Sequence, residues 1–192
     1  VDERIIEALP EDKEWVLIGG PPCQAYSVAG RSRRRENILD PKKDERVDLY
    51  KQYLRLLAFH SPAVFIMENV KGLLSARLKE SPIFKRILHD LKDPVAAYFS
   101  ENGKAEVHLE ESQYKIYSLV VEPQSWDLNG DPIFDQKDFI IKCENYGIPQ
   151  TRHRVILLGI RKDIDFVPRI LEPQDKVPLK AVLTGLPRLR SG

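Results

Sequence analysis

Four apolar runs in the sequence are short and end at turn-forming residues, a pattern that predicts strands buried in a sheet. They occupy residues 15–20 (WVLIGG), 63–70 (AVFIMENV), 114–121 (YKIYSLVV) and 154–161 (RVILLGIR). A shorter run at residues 139–143 predicts one more strand, after a turn-rich acidic segment. Nearly continuous apolar strands with helices between them favour an α/β fold with a mostly parallel sheet, whose ligands bind at the carboxyl ends of the strands.

Two helices are predicted from apolar positions spaced three or four residues apart. In residues 47–60 the apolar face consists of Val47, Tyr50, Leu54 and Leu57. A second helix is expected after Ser81, which would cap it, with Pro82 at the first helical position. Its apolar stripe consists of Ile83, Ile87 and Leu91.

The amino-acid composition favours a globular protein over a membrane, secreted or zinc-binding one. The chain has 192 residues, of which 42% are hydrophobic and 31% charged, as in a globular protein. No apolar run approaches the roughly 20 residues of a membrane span, and the N-terminus lacks the basic and then apolar pattern of a signal peptide. Two Cys and four scattered His are too few for a disulfide framework or an all-Cys/His zinc site. We therefore expect a reduced cytoplasmic protein without a metal.

A cysteine stands directly after the first predicted strand, in the segment GGPPCQ at residues 19–24. The two glycines and two prolines would make a sharp, stiff exit from the strand and present Cys23 at its carboxyl end. A cysteine thiolate is a nucleophile once its surroundings favour ionisation. The alternative is a buried structural cysteine, but a core cysteine has no need of two rigid prolines beside it. Cys143, inside a predicted strand, is interpreted as structural.

Charged side chains mark the ends of two further strands. Glu68 and Asn69 end the second run. If burial keeps the Glu68 carboxyl neutral, it could donate a proton. The alternative is that the Glu68 carboxylate reaches solvent or caps a helix. Arg152 and Arg154 lead into the last run at alternate positions, so they project to one side and could hold a phosphate or a base carbonyl. They could equally be two surface arginines. His153 is expected to face away from them.

Three motifs at strand ends carry a resemblance to a known family. In chain order they are GGPPCQAYS (residues 19–27), FIMENVKGL (65–73) and NYGIPQTRHRVILLGI (145–160). They resemble the Pro-Cys nucleophile, Glu-Asn-Val and Gln-x-Arg-x-Arg motifs of the DNA cytosine-5 methyltransferase family. The closing stretch LKAVLTGLPRLRSG (179–192) is similar to the segment that leads into that family's target-recognition region.

The resemblance implies a reaction and a set of roles. Cys23 would attack C6 of a flipped-out cytosine, so that C5 accepts a methyl group from S-adenosylmethionine. Glu68 would hold the base at N3 and the exocyclic amine, Arg154 would reach O2, and Arg152 would support the loop and the DNA backbone. The family's substrate contacts carry over to Pro22, Gln24, Ser27, Asn69 and Gln150. Double-stranded DNA is the implied partner, and the basic residues 31–35 (RSRRR) suit its phosphates.

The chain also departs from the family. No Gly-x-Gly occurs in it, so the glycine-rich loop that holds S-adenosylmethionine is missing, and the acidic residues 122–138 look like an insertion. The implied fold is a partial Rossmann-like methyltransferase fold without its cofactor-binding half. Residues 1–192 are expected to form a catalytic-domain fragment, with the sheet and motifs in 15–161 and a leader toward target recognition in 162–192. We expect the isolated chain to be inactive, and to self-associate or to depend on a complementing segment.

Two other functions compete with this interpretation. A catalytically silent DNA-binding module on a methyltransferase-like fold would have no use for the intact set of Cys23, Glu68 and Arg154. A thiol hydrolase using Cys23 would need an oriented histidine base, and His153 is the one histidine near a strand-end motif.

Overall fold

The computed structural model describes residues 2–9, 14–21, 45–78, 81–102 and 112–187. The helices and strands in chain order are α1 (Asp2–Ala8), β1 (Val16–Gly19), α2 (Glu45–His60), β2 (Val64–Val70), β3 (Arg77–Leu78), β4 (Ser81–Pro82), α3 (Ile83–Lys92), α4 (Pro94–Asn102), β5 (Tyr114–Tyr117), β6 (Ile140–Lys142), β7 (His153–Arg161) and α5 (Leu179–Leu183). Short 3-10 turns occupy Lys71–Ser75, Gln136–Phe139 and Cys143–Asn145.

A five-stranded sheet organises this part of the chain, in the order β1-β2-β7-β5, with β6 also paired to β7. The β1 and β2 strands are parallel, whereas β7 runs antiparallel to β2, β5 and β6. The other four strands therefore share one direction, and the predicted α/β fold is confirmed. Because β7 is reversed, its first residues lie at the edge where β1 and β2 end.

The main core lies on one face of the sheet. The side chains of Phe65 and Met67 on β2 and of Val155 and Leu157 on β7 are almost fully buried there, at 0–1% exposure. Helices α2 and α3 cover this face with side chains that include Leu54, Leu57, Ile83, Phe84, Ile87 and Leu91. Each such buried side chain contributes roughly 1.5–3 kcal/mol relative to exposure. The apolar faces predicted for both helices are thus confirmed, apart from Val47, whose side chain the structure does not describe.

The opposite face of the sheet is less well covered in the described part of the chain. Tyr117, Leu158 and Ile160 form a small cluster on it. On β1, however, Val16 and Ile18 are 52% and 72% exposed. Strand β1 therefore presents large aliphatic side chains to solvent on the face away from the helices.

Three local predictions were wrong in detail. The strand expected at residues 114–121 ends at Tyr117, because Ser118 Oγ accepts hydrogen bonds from the amides of Val120 and Val121 and turns the chain. Ser81 does not cap α3: with Pro82 it pairs with β3, and extended Pro82 is itself the N-cap residue. Cys143 lies in a 3-10 turn after β6 rather than inside a strand, and is half-buried.

Gly159→Ala should destabilise the fold. Gly159 lies opposite Phe65 in the register between β2 and β7, and a Cβ at Gly159 would overlap the Phe65 ring. Overpacking of this kind costs typically 1–3 kcal/mol. We expect a fall of that size in the free energy of unfolding measured with urea. Leu128→Ala is the control, since Leu128 is fully exposed and its loss should change little. Equal stability of the two variants would contradict the packing described here.

Candidate active site

Three segments that are distant in sequence meet at one edge of the sheet. Gly20 and Pro21 follow β1, Glu68 and Asn69 lie near the end of β2, and Arg154 is the second residue of β7. The parallel pairing of β1 with β2 and the antiparallel pairing of β2 with β7 bring all three to the same edge. The sheet topology therefore assembles the strand-end residues on which the sequence interpretation depends.

Gly19, the last residue of β1, and Gly20, which follows it, lie close to neighbouring side chains. A Cβ on Gly19 would lie 2.7 Å from Cε2 of Tyr53, whose hydroxyl donates a hydrogen bond to the Ile66 carbonyl at 3.2 Å. A Cβ on Gly20 would lie 3.2 Å from Glu68 Oε2. Glycine at both positions thus lets the backbone after β1 approach α2 and the Glu68 carboxylate closely.

Glu68 and Arg154 form an ion pair across the strands. Arg154 Nε lies 2.7 Å from Glu68 Oε1. The N–H does not point at the carboxylate, so this buried Nε has no hydrogen-bond partner among the described residues. Arg154 Nη1 donates to the His153 carbonyl at 2.8 Å. The Glu68 side chain is 43% exposed, so of the two alternatives left open by the sequence it is the solvent-reaching carboxylate that the structure shows.

Asn69 joins the ends of β1 and β2 from the core face of the sheet. It is 5% exposed, and its Nδ2 donates to the Pro21 carbonyl at 3.2 Å. Its Oδ1 accepts from the Val70 amide at 2.9 Å. The amide therefore fixes the backbone immediately before the Pro22-Cys23 segment, while Glu68 beside it faces the other side of the sheet.

Gln150 and Arg152 lie in the connection between β6 and β7, and both side chains are exposed. The backbone there is tightly turned, with Gln150 N donating to the Ile148 carbonyl at 2.7 Å and Arg152 N to the Gln150 carbonyl at 2.8 Å. Arg154 alone of the two arginines reaches Glu68 in the structure.

His153 points to the opposite face of β7 from Arg154, as expected, and has a partner there. Its Nε2 lies 2.8 Å from Glu144 Oε1. This hydrogen bond, together with the charge of Lys176, lowers the pKa of Glu144 below the ordinary glutamate value. The sequence interpretation missed Glu144, and the one available signal was a carboxylate in the loop just before a motif histidine.

Four predicted site residues lie outside the described residues: Pro22, Cys23, Gln24 and Ser27. The basic residues 31–35 and the last part of the closing stretch, 188–192, lie outside them as well. The roles predicted for these residues stay predictions.

Comparison with known proteins identifies the family. The family model of C-5 cytosine-specific DNA methylases matches residues 1–98 and 134–188, which are most of the chain. The protein belongs to the C-5 cytosine-specific DNA methylase family. Its matched residues include all three motifs, whereas residues 99–133 are unmatched although they include β5. The expected insertion at 122–138 therefore overlaps the unmatched segment but does not coincide with it.

Several methylases of this family are similar to the chain. It is 29% identical to the type II methyltransferase M.DdeI of Desulfomicrobium norvegicum over 92% of this chain and 33% of the relative. It is 33% identical to the type II methyltransferase M.BbvI of Brevibacillus brevis, over 82% of this chain and 30% of the relative. It is 30% identical to the DNA (cytosine-5-)-methyltransferase M.ApeKI of Aeropyrum pernix, over 78% of this chain and 27% of the relative.

A solved structure shows the same fold. An Escherichia coli prophage protein assigned as a DNA modification methyltransferase matches 97% of this chain and 39% of its own, with a TM-score of 0.56 and 26% identity. The chain thus spans about a third of the length of the curated methylases that it matches.

In the described part of the chain, Gly19 and Gly20 are packed against Tyr53 and Glu68, so these two glycines do not form an open cradle for a cofactor. No Gly-x-Gly occurs in the sequence. Within the described ranges, no three His, Cys, Asp or Glu side chains are grouped as a metal site, and no helix is long and apolar enough to cross a membrane.

Asn69→Ala should loosen the ends of β1 and β2. The substitution leaves the Pro21 carbonyl and the Val70 amide without their side-chain partners, and an unsatisfied buried group costs about 1–3 kcal/mol. We expect a loss of this size in urea unfolding and faster hydrogen exchange at the Val70 amide. Gln124→Ala, which removes an exposed amide bonded within its own loop, is the control. Unchanged exchange at Val70 would show that Asn69 does not hold this junction.

Proposed function

We propose that the chain carries the catalytic centre of a DNA cytosine C5 methyltransferase. The observation that supports this most directly is the Glu68–Arg154 pair, 2.7 Å apart, beside the Gly20-Pro21 backbone that leads to Cys23. An accessible carboxylate and a guanidinium at one sheet edge, next to the backbone that leads to the proposed nucleophile, suit the attack on a pyrimidine ring. Membership of the family supports the same assignment.

Cys23 is the nucleophile in this proposal. Its thiolate forms a bond to C6 of cytosine, and the electron pair of the C5–C6 double bond moves toward C5 and N3. C5 would thereby become nucleophilic enough to take a methyl group, which S-adenosylmethionine would supply, leaving as S-adenosylhomocysteine. Loss of the C5 proton and departure of the thiolate then restore the aromatic ring. Cys23 follows Pro21 by two residues in the sequence, and Pro21 lies at this edge of the sheet.

Glu68 and Arg154 bind the base and stabilise the charge that forms on it. Glu68 would hold N3 and the exocyclic amine, and protonation at N3 would neutralise the ring as the thiolate adds. Arg154 would donate to O2 from its guanidinium, whose Nε is buried 2.7 Å from Glu68 Oε1 and whose Nη1 donates to the His153 carbonyl. A charged donor in a partly buried site binds a carbonyl more strongly than it would in water.

Double-stranded DNA is the proposed substrate. A base stacked in a duplex cannot present C6 to a thiol, so the cytosine must be flipped out, at a cost of a few kcal/mol. Pro22, Gln24, Ser27 and Gln150 would contact the extruded nucleotide or its backbone, and Arg152 would support the DNA backbone. Asn69 would act by holding the Pro21 carbonyl, since its side chain is buried.

The proposed enzyme also needs parts that this chain does not supply. The methylases that it matches are about three times as long, and the glycines near the site leave no open cradle for S-adenosylmethionine. We propose that the chain acts on DNA in the cytoplasm as part of a longer or complemented protein. The exposed Val16 and Ile18 side chains of β1 would pack against a complementing segment or a second copy.

The covalent step can be trapped. With S-adenosylmethionine present, the full-length protein should form a denaturation-resistant adduct with duplex DNA carrying 5-fluorocytosine in its target site. After methyl transfer, C5 carries fluorine in place of the proton whose loss would release the thiolate. Cys23→Ala should abolish the adduct, and Glu68→Gln should slow its formation by about 10²–10⁴-fold, the range for acid–base catalysis. Cys143→Ala is the matched thiol control and should trap normally. DNA binding by the wild type without any adduct would favour the silent DNA-binding module.

The 192-residue chain alone should neither bind S-adenosylmethionine well nor methylate DNA. Isothermal titration calorimetry with the cofactor and a tritium-transfer assay with DNA measure the two properties. Light scattering of the same sample should show self-association through the exposed apolar face. Robust methylation by a monomeric 192-residue chain would contradict the need for a complementing part.

A further inference from the structure

The connection between β6 and β7, residues 143–152, is closed at its base by two neighbouring contacts. The Cys143 amide donates to the Arg152 carbonyl at 3.1 Å. Glu144 follows Cys143 and His153 follows Arg152 in the chain, and His153 Nε2 lies 2.8 Å from Glu144 Oε1. The connection that carries Gln150 and Arg152 is therefore closed by both the backbone and a side-chain pair.

The Glu144–His153 pair is partly shielded from solvent. The two side chains are 22% and 27% exposed, and the second carboxylate oxygen, Glu144 Oε2, is buried without a hydrogen-bond partner among the described residues. Lys142 lies opposite His153 in the strand register, and the charge of Lys176 acts on Glu144. Since the buried Oε2 has no partner, the contact with His153 is the main described restraint on this carboxylate.

His153 contacts both Glu144 and the guanidinium of the proposed catalytic pair. Its ring contacts Glu144 on one face of β7, while its carbonyl accepts a hydrogen bond from Arg154 Nη1 at 2.8 Å. The same guanidinium places Nε 2.7 Å from Glu68 Oε1. Glu144, His153, Arg154 and Glu68 thus form one continuous series of polar contacts that runs from the β6–β7 connection to the site.

The chain after β7 supports the connection from its other side. The Gln174 amide donates to the Asn145 carbonyl at 2.9 Å, and Gln174 also forms a bridge with Tyr146. Glu144 therefore lies in a turn that is held next to residue 145 and against β7. A carboxylate in such a turn can restrain the start of β7, whereas one in a free loop could not.

We propose that Glu144 and His153 are positioning residues of the catalytic centre. They hold the main chain of His153 so that the Arg154 guanidinium meets both Glu68 and the O2 atom of the target cytosine. The inference rests on the proposed methyltransferase function and extends it to two residues that touch neither the base nor the thiol. Because misplacing a catalytic group by about 1 Å can cost about 10²-fold in rate, a small shift at His153 is sufficient to matter.

Steady-state kinetics of the full-length protein test the proposal. Glu144→Ala should lower kcat for methylation by about tenfold to hundredfold, with KM for DNA changed by less than about threefold. Glu144→Gln should recover most of kcat, since its amide oxygen can still accept a hydrogen bond from His153 Nε2. Glu122→Ala, at an exposed acidic residue of another loop, is the matched control.

Each kcat should be expressed per active site counted by 5-fluorocytosine trapping. A purely structural role would lower the number of sites that can be trapped and leave kcat per trapped site unchanged. That result, or a Glu144→Ala variant with the same kcat as Glu122→Ala, would overturn the proposal.

A second measurement separates this inference from the proposed function. In protein with isotope-labelled arginine, the Nε–H signal of Arg154, identified by its loss in Arg154→Lys, should move in Glu144→Ala and stay in place in Glu122→Ala. If the wild type does not methylate DNA, the proposed function fails, and this signal still tests the positioning role. An Arg154 signal that Glu144→Ala leaves unmoved would refute that role whether or not the protein methylates DNA.

Discussion

The register between β2 and β7 is the constraint on which the site depends. Phe65 faces Gly159 and Met67 faces Leu157, so the central part of both strands is apolar on the core side, with Asn69 the buried polar residue near the end of β2. A slip of one residue would turn every side chain of β7 to the other face, burying the Arg154 guanidinium in the core. Hydrophobic packing on one face therefore specifies where Glu68 and Arg154 meet on the other.

The far end of the same strands is fixed by a different kind of contact. Arg161, the last residue of β7, donates to the Ser61 carbonyl at 2.7 Å and contacts Glu14 and Asp163 at 2.9 and 2.7 Å. The hydrogen bonds to these two carboxylates raise the pKa of Arg161. A single guanidinium thus joins the residues before β1 and β2 to the end of β7, so the strands that form the site are restrained at both ends.

Much of the fold and part of the site could be predicted from the sequence, because short segments of the chain contain the patterns that specify them. The apolar runs that became β1, β2 and β7 are uninterrupted, and a change from apolar to polar residues marks where each approaches the site. Glu68, Asn69 and Arg154 lie at such changes, and the structure brings them to one edge. Cys23 lies outside the described residues, so its role as nucleophile stays a prediction.

The features that could not be predicted from the sequence depend on contacts between residues distant in the chain, or on groups that compete for the same hydrogen bonds. The end of β5 is set by the Ser118 hydroxyl, which competes with the sheet for the amides that follow it. The start of α3 is set by the pairing of Ser81 and Pro82 with β3, which uses the residues expected to cap the helix. The Glu144–His153 pair needs the β6–β7 turn to close before the two side chains can meet.

The ion pair between residues 68 and 154 also links the assembly of the proposed site to the order of folding. Local helices such as α2 and α3 can form early, but a pairing between residues so far apart in sequence has to await closure of the long loop between them. A partly folded chain in which β7 has not yet joined β2 would keep much of its helical content and contain no assembled Glu68–Arg154 pair. The proposed site would then exist only in chains that have completed this long-range pairing.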